Sequence, residues 1–380
     1  MLKVLQVGKY YPPYRGGMET HLADLCESLD KRVDMEVVVA HTEKNTVTDM
    51  VNGISVTRLG TPAKLLSNPI CPQLISRIRR SSADLVHLHW PNPVALLAYM
   101  ASGSKKPLVV TYHSDIIKQS LAAAAFNPIL HKALRNARII ATSPDYIASS
   151  PILSQHKDRC SVIPMGVDPS RFSQPDFSRI RDLRAKFGNR IILTAGRQIY
   201  YKGFEYLIQA MKQVDGHLVL VGDGPMRAEL SSLSSRLGLS NRVSFLGSVT
   251  EEDLKACYHA ASVFAFPSVA RSEAFGIVQL EAMACGKPIV NTSIQSGVPF
   301  VSRHQETGLT VQPENPVALA QALNTLLSND RLRYQYGDAA RRRVYEAFTL
   351  EEMCDKTHNL YLDVLGLPIY RKRAVSTLAS

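Results

Sequence analysis

The sequence predicts an α/β chain made of two doubly wound, parallel-sheet domains, and three observations predict it. At 380 residues the chain is longer than one hydrophobic core usually serves. Short β-branched runs alternate with helix-patterned stretches in both halves, which implies parallel strands with helices on their faces. Between the halves, PMGVDPSRFSQPDF at 164–177 is rich in Pro, Asp and Ser and has no periodicity, so it reads as a linker.

In order along the chain, LKVLQV is a strand and METHLADLCESLD a helix; ADLVHLH is a strand and VALLAYMA a helix. PLVVTYH is the next strand, a long helical stretch runs to Ala137, and RIIAT closes the first half. The pattern restarts with strand RIILTAGR, helix GFEYLIQAMKQV, strand HLVLVG, helix PMRAELSSLSSRLG, strand RVSFLG, helix EEDLKACYHAA and strand SVFAFP. Thr250 with Asp253, and Thr349 with Glu352, have the spacing of helix N-caps. From about Pro316 the chain reads helical, and its final helix, near Thr349 to Leu365, is long enough to cross back onto the first domain. The basic end, YRKRAVSTLAS, is expected to fray.

Composition narrows the classes. With 45% apolar and 20% charged residues the chain is globular rather than disordered. No apolar run approaches the roughly 20 residues that span a bilayer, and MLKVLQVGKYYPP is too short an apolar stretch for a secretory signal, so a cytoplasmic protein is expected. Cys26, Cys71, Cys160, Cys257, Cys285 and Cys354 form no C-x-x-C pair and read as reduced, small core side chains. A net charge of +11 points to a polyanionic partner: a nucleotide, an acidic lipid surface or nucleic acid. Lys and Arg are dispersed through both halves without a basic stripe and aromatic partners, which argues against nucleic acid.

The most informative stretch is RSEAFGIVQLEAMACGKPIV, with Glu273 before a helix start at Gly276 and Glu281 between one and two turns into the helix. Such a helix aims free N–H groups and its positive dipole end out of the sheet's carboxyl edge, a seat for a phosphate. Glu273 could bond sugar hydroxyls and Glu281 a ribose; the plain alternative is two solvated carboxylates where acids are favoured anyway. Arg197 and Lys202 follow a strand that ends where ligands bind in open α/β sheets, and two cations there can neutralise a departing diphosphate. Gly16 and Gly17 allow a close backbone approach, either to a ligand or in a tight βα turn. In VGDGP, Arg227 occupies the third glycine position of G-x-G-x-x-G, so a dinucleotide fingerprint is a poor reading. His87 and His89 alternate along a strand and lack a third metal donor, and no D-x-D occurs, so no metal is expected. The segment NPICPQLISRIRRSS sets Leu74, Ile75 and Ile78 beside Arg77, Arg79 and Arg80, which suits an anionic membrane surface or a solvated basic helix face.

The E-x(7)-E of Glu273 and Glu281 resembles glycosyltransferase family 4, a retaining family with the two-domain, Rossmann-like GT-B fold. GGMET, GRQIYYKG, VGDGP and ETGLTV have counterparts there, so the resemblance spans both halves. TYHSDIIKQ, SPDYIASSP, YYKG and RSEAFGI resemble, more narrowly, bacterial O-antigen and exopolysaccharide mannosyltransferases of the rhamnosyl/mannosyltransferase type. One departure is QSGVPFV, where Phe300 stands in place of the acid of a Gly-Gly-x-x-Glu turn at the outer wall of the donor pocket.

The resemblance implies an acceptor-binding domain over 1–168, with a C-terminal helix of about 350–380 packed back on it, and a nucleotide-sugar-binding domain over 173–350. It implies His113, Arg197, Lys202 and Glu273 as catalytic residues, with Asp115 a weaker candidate near the reacting sugar. Gly16, Gly17, Gly196, Arg197, Lys202, Gly222, Gly224, Glu273, Ala274, Phe275, Gly276, Ile277, Val278 and Glu281 would hold the donor. The donor is expected to be GDP-mannose, or a UDP-sugar as the alternative, with no metal or cofactor and with a lipid-linked saccharide as acceptor at the inner face of the cell membrane. A nucleotide-sugar epimerase on the same fold and a sugar-nucleotide sensor without turnover are the rival functions.

Overall fold

The computed structural model describes residues 1–14, 16–65, 68–116 and 120–369. The basic end at 370–380, the last part of the expected terminal helix and part of TYHSDIIKQ lie outside the described residues. The chain divides into two compact units, the first holding the described residues of Met1–Tyr112, Pro128–Ile140 and the chain from Glu351 on, the second those of His113–Asn127 and Ala141–Leu350.

The first unit is built on strands β1 Leu2–Val7, β2 Val33–Ala40, β3 Val47–Val51, β4 Ile54–Leu59, β5 Leu85–Trp90, β6 Leu108–Tyr112 and β7 Ala137–Ala141. They lie side by side in the order β7-β6-β5-β1-β2-β4-β3. β1 pairs in parallel with β2 and β5, and β3 closes on β4 as an antiparallel hairpin. The central strands β5 and β6 are buried along their whole length, as parallel strands covered on both faces must be. The alternating register sets Gln6 opposite His87, and His89 opposite Thr111. Helix α1, Gly17–Leu29, buries His21, Leu22, Leu25, Cys26 and Leu29. Helix α2, Gln73–Arg80, turns Leu74 and Ile78 into the core and leaves Ile75 half-buried; Arg79 Nε donates to the Ser102 carbonyl at 2.9 Å. Among the described residues, no helix is long and apolar enough to cross a membrane.

The second unit carries β8 Ile191–Ala195, β9 His217–Val221, β10 Val243–Gly247, β11 Val263–Phe266, β12 Ile289–Thr292 and β13 Gly308–Val311, in the order β10-β9-β8-β11-β12-β13 and parallel throughout. The order reverses direction between β8 and β11, the switch point at which open α/β sheets bind ligands. Helices α3 Glu251–Ala260, α4 Ile277–Ala284 and α5 Asp330–Ala347 belong to this unit, and α6 Leu350–Val364 starts at its end. Thr250 caps α3 through its hydroxyl, which accepts from the Asp253 amide at 3.2 Å.

Two sequence expectations need correction. The stretch at 164–177 is not a free linker: Met165, Val167 and Phe172 join the core of the second unit, and its Pro and Asp serve a capped turn, with Asp168 accepting from the Ser170 amide. The terminal helix runs Leu350–Val364, as the pattern near Thr349 to Leu365 predicts and not on to 380; Leu365 and Gly366 close its last turn and leave the helix.

Candidate active site

The second unit brings the predicted donor residues together at the carboxyl ends of β8 and β11. A turn at Tyr200–Lys202 follows β8 and ends at Gly203, whose φ of +64° is left-handed; a Cβ there would lie 2.2 Å from the Pro267 carbonyl oxygen. That close approach, with the Val269 amide donating to the Tyr201 carbonyl at 2.9 Å, sets the 197–203 loop against the segment after β11. As a result Lys202 Nζ forms an ion pair with Glu273 Oε2, with both side chains 11% exposed. The ammonium also lies 4.8 Å from the Phe266 ring centroid and 5.9 Å from that of Tyr201. The Ser268 hydroxyl is 3.5 Å from the same Glu273 oxygen. Burial, and then the charge of Glu273, push the Tyr201 hydroxyl above the usual phenol range, so it stays protonated beside the carboxylate. Arg197, in the same loop, is exposed.

Gly276 caps α4 with φ +79°, and a Cβ on it would lie 2.5 Å from the Phe266 ring, so only glycine lets the helix start this close to β11. The Gln279 amide donates to the Gly276 carbonyl at 2.9 Å, whereas the N–H groups of Ile277 and Val278 begin the helix without an acceptor inside it and point from its positive end. Ala274 and Phe275 are core residues: the Ala274 carbonyl accepts from the Gly297 amide, and Phe275 packs edge-on to Phe348. Ile277 and Val278 are half-buried on the first turn. Glu281, one turn further in, accepts from the Tyr258 hydroxyl at 2.6 Å. Gly196, Gly222 and Gly224 serve backbone packing: a Cβ on Gly222 would meet the Gly196 carbonyl oxygen at 2.2 Å and one on Gly224 the Gln198 carbonyl oxygen at 2.4 Å.

Phe300, where the resemblance expects an acid, packs edge-on to Phe348 at 5.9 Å, with the Arg343 guanidinium 5.6 Å from its ring centroid. Phe300 is half-buried and packs against the core of the unit, an apolar rather than a polar wall. Among the other predicted residues, His113 follows β6 directly and is buried, while Gly16 and Gly17 open α1 in the first unit, Gly16 in extended backbone.

Sequence reasoning missed several neighbours. Asp115 accepts from Arg271 at 2.7 Å and from the Ser150 hydroxyl at 2.8 Å, and its amide donates to the Tyr146 hydroxyl at 2.6 Å. The one signal for Arg271 was its place two residues before Glu273. Tyr258 gave none beyond an apolar helix face. His89 does have a further histidine beside it, since α1 brings the His21 ring to 5.7 Å, edge-on. His87 is engaged elsewhere, with Tyr361 at 2.6 Å and Thr111 at 2.7 Å.

Comparison with known proteins gives a consistent result. A family described as "Glycosyltransferase Family 4" matches residues 15–171, and one described as "Glycosyl transferases group 1" matches residues 178–343. A D-rhamnosyltransferase, WbpZ, of Pseudomonas aeruginosa is 35% identical over 338 residues, covering 88% of this chain and 88% of its own length. O-antigen chain mannosyltransferase C of Escherichia coli is 31% identical over 369 residues, 96% of this chain and 99% of that protein. Among solved structures, sucrose-phosphate synthase from Thermosynechococcus elongatus superposes with a TM-score of 0.80 at 23% identity, over 96% of this chain and 100% of that one. Anabaena Alr3699/HepE in complex with UDP and glucose gives 0.79 at 23% identity, over 95% and 99%. At that identity the likeness is one of fold, two Rossmann-like units of the GT-B kind.

Proposed function

We propose, since this chain belongs to the glycosyltransferases of group 1 and family 4, that it transfers mannose from GDP-mannose with retention of configuration. The acceptor is a lipid-linked oligosaccharide of bacterial O-antigen or exopolysaccharide assembly, met at the inner face of the cell membrane. The observation that carries the reading is the grouping of Lys202, Glu273 and the Gly276 helix start at the switch point of the second sheet. The names of the relatives at 35% and 31% identity supply the sugar class.

In this reading the diphosphate lies at the first turn of α4, where the N–H groups and Lys202 carry its charge, and Arg197 reaches it from the loop surface. Negative charge grows on that diphosphate as the glycosidic bond breaks, so the cation acts chiefly in the transition state. Before donor binds, Glu273 neutralises Lys202; once bound, Lys202 turns to phosphate and Glu273 to the hydroxyls of the sugar. Glu281 takes the ribose. A phosphate oxygen of the leaving group accepts the proton of the attacking hydroxyl, and His113 orients the acceptor. No carboxylate beyond these is needed, which sets the reaction apart from double displacement.

The test is a thermal-shift series over GDP, UDP and their mannose and glucose conjugates, followed by transfer to a lipid-linked acceptor. GDP and GDP-mannose are expected to raise the melting temperature most, and GDP to be released only when acceptor is added. A response to UDP compounds alone would overturn the donor assignment. A new nucleotide sugar formed from donor alone would make the protein an epimerase.

A further inference from the structure

Tyr258 has no exposed surface, yet its hydroxyl ends on a carboxylate at the rim of the donor site. Its ring stands edge-on to Phe172 at 6.2 Å and tilted against Phe264 at 5.7 Å, and Phe264 stacks in turn on Phe266 at 6.4 Å. The aromatic row Tyr258, Phe264, Phe266 thus runs beneath the site and touches three of its parts. Tyr258 meets Glu281, Phe266 meets Gly276, and Phe266 also lies under Lys202. Close packing on both sides leaves the ring one orientation, so the position of the hydroxyl is set by the core and not by solvent. Burial holds the phenol well above its usual range, helped by the Glu281 charge, and it remains a proton donor throughout the range in which enzymes work.

We propose that Tyr258 is a positioning residue that fixes the Glu281 carboxylate for the ribose of the donor nucleotide. A glutamate side chain rotates about three bonds, and ordering it on ligand binding costs entropy that lowers affinity. The Tyr258 hydroxyl holds Oε2 in advance, so the carboxylate meets the vicinal hydroxyls of the ribose already ordered. The inference rests on Glu281 being the ribose ligand.

The test is calorimetric titration of the full chain with GDP and UDP, each beside its 2′,3′-dideoxy form. The ratio of the two affinities reads the ribose contact alone. In the unaltered protein the ribose form should bind tighter by roughly 10-fold to 100-fold, the range of a hydrogen bond to a charged group. Tyr258→Phe should cut that ratio about tenfold, while the affinity for the dideoxy form stays the same. Tyr258→Met, of comparable bulk, gives the same reading should the first variant be unstable. A Tyr258 variant that weakens both forms equally, or leaves the ratio intact, overturns the proposal, since Tyr258 would then only fill the core. Glu281→Gln separates the two levels: if it leaves the ratio unchanged, the ribose assignment fails; if it collapses the ratio and Tyr258→Phe does not, the Tyr258 inference alone fails. An unaltered protein that binds neither GDP nor UDP overturns the donor-site reading itself.

Discussion

In the first unit, buried polar side chains tie the middle of the sheet to a helix packed on it; in the second, the charged residues of the candidate site stand beyond the strand ends. In the first, Gln6 on β1 and His87 on β5 both bond to the Tyr361 hydroxyl of α6, at 3.0 and 2.6 Å, and His89 bonds to Gln6 at 3.1 Å. The corresponding space of the second unit is filled by Leu193, Val219, Phe264 and Phe266, while Lys202, Glu273 and Glu281 stand on loops and a helix start beyond the strands. The difference teaches what each polar set is for. A buried network must be satisfied from within the protein, so that of the first unit draws the last helix of the chain onto its sheet. Charges at strand ends can exchange protein partners for a ligand.

The widest separation between the two units should appear on acidification. Burial lowers the His87 imidazole to about 3 and that of His21 to about 4, from an ordinary 6.5. In the unfolded chain both take up a proton as the pH falls through 6.5, whereas in the folded unit they do so only near 3 to 4. Their contribution is therefore intact above 6.5 and lost as the pH falls toward 4, by about 2 kcal/mol for each at pH 5. In the second unit burial also lowers the imidazoles of His217 and His259, both only half-buried, while its Lys287 titrates near 8, outside this window. Urea unfolding at pH 7 and pH 5 should show a loss of roughly 4 kcal/mol, and the variant His87→Gln should retain only half of it. Equal stability at the two pH values would mean that the histidines carry no such penalty.

The next effect belongs to the second unit. Lys202→Ala should lower kcat by about 100-fold, as loss of one transition-state charge contact does, with a smaller effect on GDP affinity. It also leaves Glu273 unpaired, so adding Glu273→Gln should restore melting temperature and not turnover. Recovered turnover in the double variant would place the pair outside the chemistry. In the first unit, Tyr361→Phe strips a hydrogen-bond partner from both Gln6 and His87 and should cost roughly 2 kcal/mol by urea unfolding, with GDP affinity unchanged. A parallel loss of GDP affinity would show that the two polar sets are not independent.

What the sequence could reveal follows from range. The alternation of strands and helices was readable because parallel strands buried on both faces leave continuous apolar runs, as in IILTA of β8. The short exposed strand β3 left no such mark. The segment 164–177 was misread because Pro and Asp look alike in a free linker and in a capped, packed turn. Within the site, Glu273, Gly276 and Glu281 share one short stretch, so their spacing could be argued. The pairing of Glu273 with Lys202, the hold of Tyr258 on Glu281 and the packing of Phe300 on Phe348 depend on segments that only folding brings together.

The smallest effect compares a short-range contact with these long-range ones. The Thr250 hydroxyl satisfies the Asp253 amide in the first turn of α3, and Thr250→Ala should cost about 1 kcal/mol by urea unfolding, less than Tyr361→Phe. Tyr258 lies two turns along the same helix, yet its ring is held by Phe172 and Phe264 rather than by the helix end. The preference for GDP over its dideoxy form should therefore survive Thr250→Ala. Should that preference fall along with stability, fraying of the helix would reach Tyr258, and its orientation would depend on the capped first turn and not on the aromatic packing of the core.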